Sequence, residues 1–375
     1  MATLEDIALS MTSGLGTQGA AHLLEIFSSA EKIFSASYDE LVHFAQMSPQ
    51  VAKNIVDKSA FRLAEGELKY CAKNRVVPIA STDAEFPELL REIGDYPSVI
   101  YVSGNIDILS GRSVSMVGTR KMSPYGERAC NSIVEEMSSR VPNLVITSGL
   151  AFGVDGAAHR AALSFDVPTI AVLPTTLPSI TPTHHASLAR DIVDSGGALI
   201  SELNSQTKNN GKLYIARNRI IAAMSGATIL VESPESGGSM VTAKMAADYN
   251  RVVGAVPGRI TDPMSRGCNM LIRNKVAMAV TRGEDIIREL MWDCDSDVGE
   301  RAKPQQTAKL ELTRDEAGLL RCFREEEPLH VSQLVEVSGM QMGELAALLM
   351  GLELSGVVRM LPGNRYERLV SLDRI

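Results

Sequence analysis

The sequence has no closely spaced cysteine pairs. Its five cysteines stand at 71, 130, 268, 294 and 322, an odd number with no C-x-x-C spacing. That pattern argues against a disulfide framework and a structural zinc site, and it fits a reducing, cytoplasmic compartment. No apolar run approaches the ~20 residues of a membrane helix. The longest runs, such as 169–173 and 227–231, are strand-sized. The opening MATLEDIALSM carries acids early and no basic region before an apolar stretch, so a secretory signal is not expected. Positive charge is not in excess either: the net charge is −8. A polyanion ligand would therefore have to be held by local basic clusters, because charges act over roughly a Debye length of ~8–10 Å.

What is present suits a soluble α/β protein. The 375 residues are 45% hydrophobic and 22% charged, enough for a substantial core and two or three domains. Three textures separate. Residues 1–75 read as short helices (a SAM or helix-hairpin-like domain) broken at Gly14, Gly16 and Ser48-Pro49. Residues 76–292 alternate apolar runs with amphipathic stretches. The segment 293–308 is polar and aperiodic and reads as a linker, and residues 309–375 form a small third domain.

In the middle region, 114–118, 144–148, 169–173, 198–201, 227–231 and 252–256 are strand candidates. Their runs are unbroken rather than alternating, as in strands buried on both faces. Helical patterns at about 124–139, 156–164, 185–195, 212–225 and 238–250 lie between them. Repeated βα units predict a Rossmann-like, doubly wound parallel sheet with its ligand beyond the carboxyl ends of the strands. The third domain reads as helices at 314–324, 331–337 and 341–354 and a hairpin turning at Pro362-Gly363-Asn364, a winged helix.

The loops after the strands carry the candidate chemistry. After the first strand, Gly118 allows close backbone approach, and Ser123-Pro124 opens a helix whose N-terminus suits an anion. Arg120 and Lys121 flank it. The same residues also make a well-capped turn with solvated charges, and this loop alone does not separate the two. In Ser148-Gly149-Leu150-Ala151-Phe152-Gly153, Phe152 is a candidate for stacking on a base, where an aromatic contributes ~1–3 kcal/mol, or for the core. His159 on the helix that follows reads as a packed, hydrogen-bonded histidine. In Arg217-Asn218-Arg219 the arginines are two apart and cannot share a helix face. Either both clamp phosphate at a helix start, or one packs or pairs while the other reaches ligand or solvent. Ser236-Gly237-Gly238-Ser239 opens a helix after an apolar strand and resembles an anion nest, with Lys244 about one turn in. It lacks the G-K-[ST] of an ATP-hydrolysing loop. The stretch Pro257-Gly258-Arg259 through Arg273 again joins glycines to arginines. Together these loops predict a basic rim on an acidic molecule, a localised polyanion site. No metal-ligand set and no acid/base pair stands out, so no catalyst, metal or cofactor is expected.

The same segments carry a family resemblance. Val117-Gly118-Thr119-Arg120, Ser148-Gly149-Leu150-Ala151 with Gly153 through His159, Arg217-Asn218-Arg219-Ile220-Ile221, Ser236-Gly237 with Thr242-Ala243, and Val256-Pro257-Gly258 with Gly267 through Ile272 resemble, in order, the DprA/Smf family. The resemblance implies a Rossmann-like core that binds single-stranded DNA, dimerises, protects incoming strands in natural transformation and loads a RecA-type recombinase. It implies that Arg120, the Ser148-Gly149 loop, Arg217, Arg219 and the Ser236–Ser239 loop line the DNA site. Tyr214-Ile215 stands where the family usually has Phe-Pro, and His185 where Asn is common.

The second and third helices of the winged domain contain no Lys or Arg, which predicts protein contact or self-association rather than groove reading. Two other functions remain to be weighed. One is a nucleotide-processing hydrolase of the lysine-decarboxylase-like Rossmann type, against which counts the lack of a Glu on the helix after Gly237-Gly238. The other is a nucleotide sensor acting on transcription, against which counts a recognition helix without Lys or Arg.

Overall fold

The computed structural model describes residues 1–208, 210–292, 313–323, 329–354, 357–361 and 365–368. The chain divides into two compact units, Met1–Asp297 and Val298–Ile375.

The first unit is built on a nine-stranded sheet: β1 (Val77–Ala80), β2 (Val99–Gly104), β3 (Arg112–Val117), β4 (Leu144–Ser148), β5 (Thr169–Val172), β6 (Ala198–Ser201), β7 (Ala227–Leu230), β8 (Val252–Ala255) and β9 (Met278–Ala279). Their spatial order is β1-β2-β6-β5-β4-β3-β7-β8-β9. All neighbours from β6 to β9 run parallel, while β2 pairs antiparallel with β6 and β1 with β2. The expected parallel, doubly wound sheet is present, and its six expected strands are β3 to β8. It is extended by an antiparallel pair at one edge and a two-residue strand at the other. Pro78 in β1 is tolerated because β1 is an edge strand.

The strands are buried on both faces, which accounts for their unbroken apolar runs. Val114, Met116 and Ile146 pack against the helices Pro124–Arg140, Val154–Ser164 and Gly283–Glu289. Val117, Val145 and Val172 pack on the other face against Lys212–Ala223 and Gly238–Asp248. The change of texture near residue 75 marks the entry into β1 rather than a gap in packing. Ile7, Leu23, Ile33 and Ile55 of the N-terminal helices share one apolar cluster with Tyr101, Ala171 and Leu199 of the sheet. Buried Glu67 accepts hydrogen bonds from the backbone N–H and hydroxyl of Ser205, just after β6.

Chain order from β3 to β6 steps one way along the sheet; β7 returns to the other side of β3 and the chain then steps outward to β9. The reversal lies between β3 and β7. Loops leaving those strands must diverge there, opening the crevice that doubly wound sheets use for ligands.

In the second unit, helices Arg314–Arg321, Val331–Ser338 and Met342–Leu354 accompany a three-stranded sheet of β10 (Leu329–His330), β11 (Val358–Leu361) and β12 (Arg365–Arg368), ordered β10-β12-β11. Leu319, Leu334, Leu345 and Leu349 form its core. The expected linker and the hairpin turn at 362–364 lie outside the described residues. Among the described residues, no helix is long and apolar enough to cross a membrane.

Candidate nucleic-acid interface

A cleft of about 240 Å³ opens at the β3/β7 reversal, lined by Gly118, Thr119, Arg120, Ala151, Asp155, Arg217, Asn218, Pro234, Gly237, Gly238, Ser239 and Thr242, among others. Each wall comes from a different loop or helix start, and the loops are tied to one another. The Thr119 N–H donates to the Glu232 carbonyl at 2.7 Å, and the Val154 N–H to the Thr119 carbonyl at 3.2 Å. Gly153 sits at φ 75°, ψ −126°, and a Cβ there would stand 2.1 Å from the Thr119 carbonyl oxygen. Only glycine lets these two loops close to this distance.

The floor is Arg217. Its side chain is buried, and Nη1 donates to the Gly149 carbonyl at 2.7 Å and to the Val172 carbonyl. Gly149 is glycine for the same reason: a Cβ would lie 2.5 Å from Nη1. Burial pulls the Arg217 pKa down to about 10, opposed by the Asp155 carboxylate. Asp155 is buried beside it, and desolvation raises its pKa while Arg217 pulls it down. The pair is a charge-balanced base to the cleft. Asn218 bridges outward, accepting from Arg217 Nε at 3.2 Å and reaching toward the Gly238 carbonyl at 3.5 Å.

Arg120 and Lys121 are exposed, and neither forms an ion pair among the described residues. The Arg120 guanidinium lies 5.9 Å from the centre of the Tyr214 ring, a cation–π arrangement. Opposite, Ser236 to Gly238 are exposed and open the helix Gly238–Asp248, whose first-turn amides have no preceding carbonyl to bind. Phe152 is 45% exposed and its ring centre is 5.0 Å from that of His185, so it lies at the surface and not in the core.

Other expected residues fall elsewhere. Arg219 is not at the cleft: it is buried in an ion pair with Glu202 and lies 3.5 Å from Asp95. Two residues along a helix turn by about 200°, so holding Arg217 under the cleft turns Arg219 the other way. The Ser148 hydroxyl is fully buried and donates to the Met116 carbonyl at 2.6 Å, leaving only the loop backbone for a ligand. Lys244 is exposed but outside the lining, and Arg273 ends the helix Arg266–Arg273, away from the end that packs against Ser233 and Pro234.

Sequence reasoning missed Glu232. It is buried at the carboxyl end of β7 and accepts from the Ser123 N–H at 2.8 Å and the Ser123 hydroxyl at 2.5 Å. It thus fixes the start of the helix Pro124–Arg140. An acid closing a buried apolar strand was the available signal. Among the described residues, no three His, Cys, Asp or Glu side chains are grouped to hold a metal ion.

His159 is fully buried. Thr169 donates its hydroxyl to the Ile146 carbonyl, so its oxygen accepts from His159 Nδ1, 2.7 Å away, and Nε2 faces no partner. Burial drives its pKa from 6.5 down to about 3. The unfolded chain therefore binds a proton that the fold refuses, and stability falls as pH drops from 6.5 toward 3, by up to about 1.4 kcal/mol per pH unit. Denaturant midpoints measured from neutral to acid pH should show this slope, flattened in His159→Gln; equal slopes in the two proteins would contradict it.

Comparison with known proteins gives consistent matches. The family model "DNA recombination-mediator protein A" matches residues 78–291, and "DprA winged helix domain" matches 303–364. Protein Smf of Escherichia coli is 36% identical over 294 residues, covering 76% of each chain. DNA processing protein DprA of Bacillus subtilis is 36% identical over 215 residues, 57% of this chain and 70% of that one. Among solved structures, DprA of Streptococcus pneumoniae aligns with TM-score 0.66 and 29% identity over 77% of this chain and 98% of its own. DNA processing protein A of Helicobacter pylori, whose structure concerns its single-stranded DNA binding mode, aligns with TM-score 0.52 and 26% identity over 58% and 97%.

Proposed function

The chain belongs to the DprA/Smf family of DNA-processing proteins, and on that premise we propose that it binds single-stranded DNA at the β3/β7 cleft. The carrying observation is the combination of exposed Arg120 in the lining, with exposed Lys121 next to it in sequence and outside the lining, and an open helix start at Gly237–Ser239 on the opposite wall. Phosphates would bridge these walls, and Phe152 and Tyr214 would offer faces to bases. A single strand can turn its bases toward such faces, whereas a duplex keeps them stacked inside.

The proposed role extends to protecting incoming strands in natural transformation, in the cytoplasm, as a homodimer that passes DNA to a RecA-type recombinase. The family relationship supports this, as does a cleft whose charged groups are arranged for binding. Asp155, the acid in the cleft, is buried, and Arg217 partly offsets the rise that burial gives its pKa. The winged domain, with Val337, Met342 and Met350 exposed on two helices that carry no Lys or Arg, is assigned to protein contact.

Two titrations test this. Fluorescent oligo-dT should bind tightly and salt-sensitively, with duplex of the same length binding at least about tenfold more weakly. The protein should also shorten the lag of recombinase filament formation on strands coated with single-strand-binding protein. Equal binding of both DNA forms would overturn the first claim, and an unchanged lag the second.

A further inference from the structure

A second groove lies on the other side of the loop that follows β3. It encloses about 660 Å³ and is lined by Ser123, Pro124, Tyr125, Arg128, Pro257, Gly258, Arg259, Asp262 and Ser265. We propose that this groove is a second nucleotide subsite, taking the phosphate and base of the same single strand as it leaves the β3/β7 cleft. The proposal rests on the strand-binding reading of that cleft.

Four observations carry it. First, the groove is cationic. Arg128 and Arg259 are both exposed, and neither forms an ion pair among the described residues. The one acid in the lining, Asp262, is engaged as a turn cap, accepting from the Met264 N–H at 2.9 Å. On a chain of net charge −8, two free guanidiniums at one groove are a local reversal of sign.

Second, the groove has an aromatic wall. Tyr125 is 42% exposed, and its hydroxyl donates to the Pro257 carbonyl at 2.7 Å. That bond holds the ring in place while leaving part of it open. A fixed, accessible ring beside free arginines is what sequence-tolerant single-strand sites use.

Third, the opposite wall is held in advance of any ligand. The Gly258 N–H donates to Asn269 Oδ1 at 3.1 Å, and Asn269 Nδ2 donates to the Gly258 carbonyl at 3.0 Å. Little ordering would accompany binding, which favours affinity. The loop also presents Ile260, 87% exposed, next to Arg259.

Fourth, the two sites share one loop. Arg120 stands at the cleft and Tyr125 at the groove, and five residues span at most ~17 Å. The Thr119 hydroxyl on the cleft side donates to Met264 Sδ at 3.5 Å in the loop that walls the groove. A strand a few nucleotides long can reach from one to the other.

The test is the length dependence of binding by the full chain carrying Arg128→Ala and Arg259→Ala. Affinity is measured by anisotropy for oligo-dT of about 2 nucleotides, too short to reach from the cleft to the groove, and of about 20 nucleotides. The proposal expects the long strand to bind about tenfold more weakly than to wild type, with its salt slope reduced by about 0.7 per arginine. The short strand, held by the cleft alone, should bind within about twofold of wild type. A Tyr125→Phe variant, which frees the ring from Pro257, should weaken the long strand only. Equal weakening at both lengths would mean a general electrostatic or folding effect and overturn the proposal. So would unchanged binding at both lengths, or a change confined to self-association, which would make the groove a protein contact. If wild type binds neither length, the cleft reading itself has failed, which the same titration separates from failure of the groove.

Discussion

Arg217→Met is expected to cost about 3–5 kcal/mol of stability, because it strands a buried carboxylate. Arg217 is buried under the cleft, donates through one nitrogen to the carbonyls of Gly149 and Val172, and faces Asp155. Methionine fills similar volume but satisfies none of these groups. In thermal unfolding the loss amounts to a drop on the order of 10 °C. The charge pair also fixes the pH dependence. Without Arg217 the Asp155 carboxyl is pushed still further above its ordinary value, since its main opposing cation is gone. A raised folded pKa makes the protonated acid the stable form, so the deficit relative to wild type should be small in acid and grow as pH rises to neutral. Arg217 also helps to lower the His159 pKa, so its loss eases the acid penalty of His159 and shrinks the deficit in acid further. Arg217→Met combined with Asp155→Asn should recover part of the loss, the signature of a coupled pair. Arg217→Lys should not substitute, because an ammonium lacks the planar fork that meets both carbonyls and Asn218 together. Thermal melts of wild type and these three variants at two pH values check this. A deficit independent of pH would contradict it.

The sheet was largely legible in the sequence and the cleft only partly so, for physical reasons. Strands β3 to β8 are covered by helices on both faces, so their residues are apolar without alternation and stand out in one dimension. The strands outside the β3–β8 core did not stand out: edge strand β1 contains Pro78, edge strand β9 has two residues, and β2 joins the sheet antiparallel. The site's loops were marked by glycines and arginines, because close backbone approach and phosphate binding need those residues wherever the fold puts them. Which arginine faces the cleft depends on helix phase. Arg219 is drawn away by Asp95 and Glu202, and Asp95 is distant in sequence and carries no local signal. Glu232 was overlooked because its partner Ser123 is brought to it only by the β3/β7 neighbourhood.

Arg120→Ala with Lys121→Ala carries the central claim, that single-stranded DNA is held at the β3/β7 cleft. Both side chains are exposed and in no ion pair among the described residues, so their removal should leave the melting temperature within about 1 °C of wild type. Apart from the Arg120–Tyr214 ring contact, their loss should be felt by the ligand. Two phosphate contacts fewer should reduce the salt slope of single-strand binding by about 1.4 and weaken affinity on the order of tenfold to a hundredfold near physiological salt. The decisive measurement is an anisotropy titration of fluorescent oligo-dT with wild type and this double variant across a salt series. The account predicts a folded variant with sharply weaker binding and a shallower salt slope; wild-type affinity and slope in the variant would place the DNA elsewhere on the molecule.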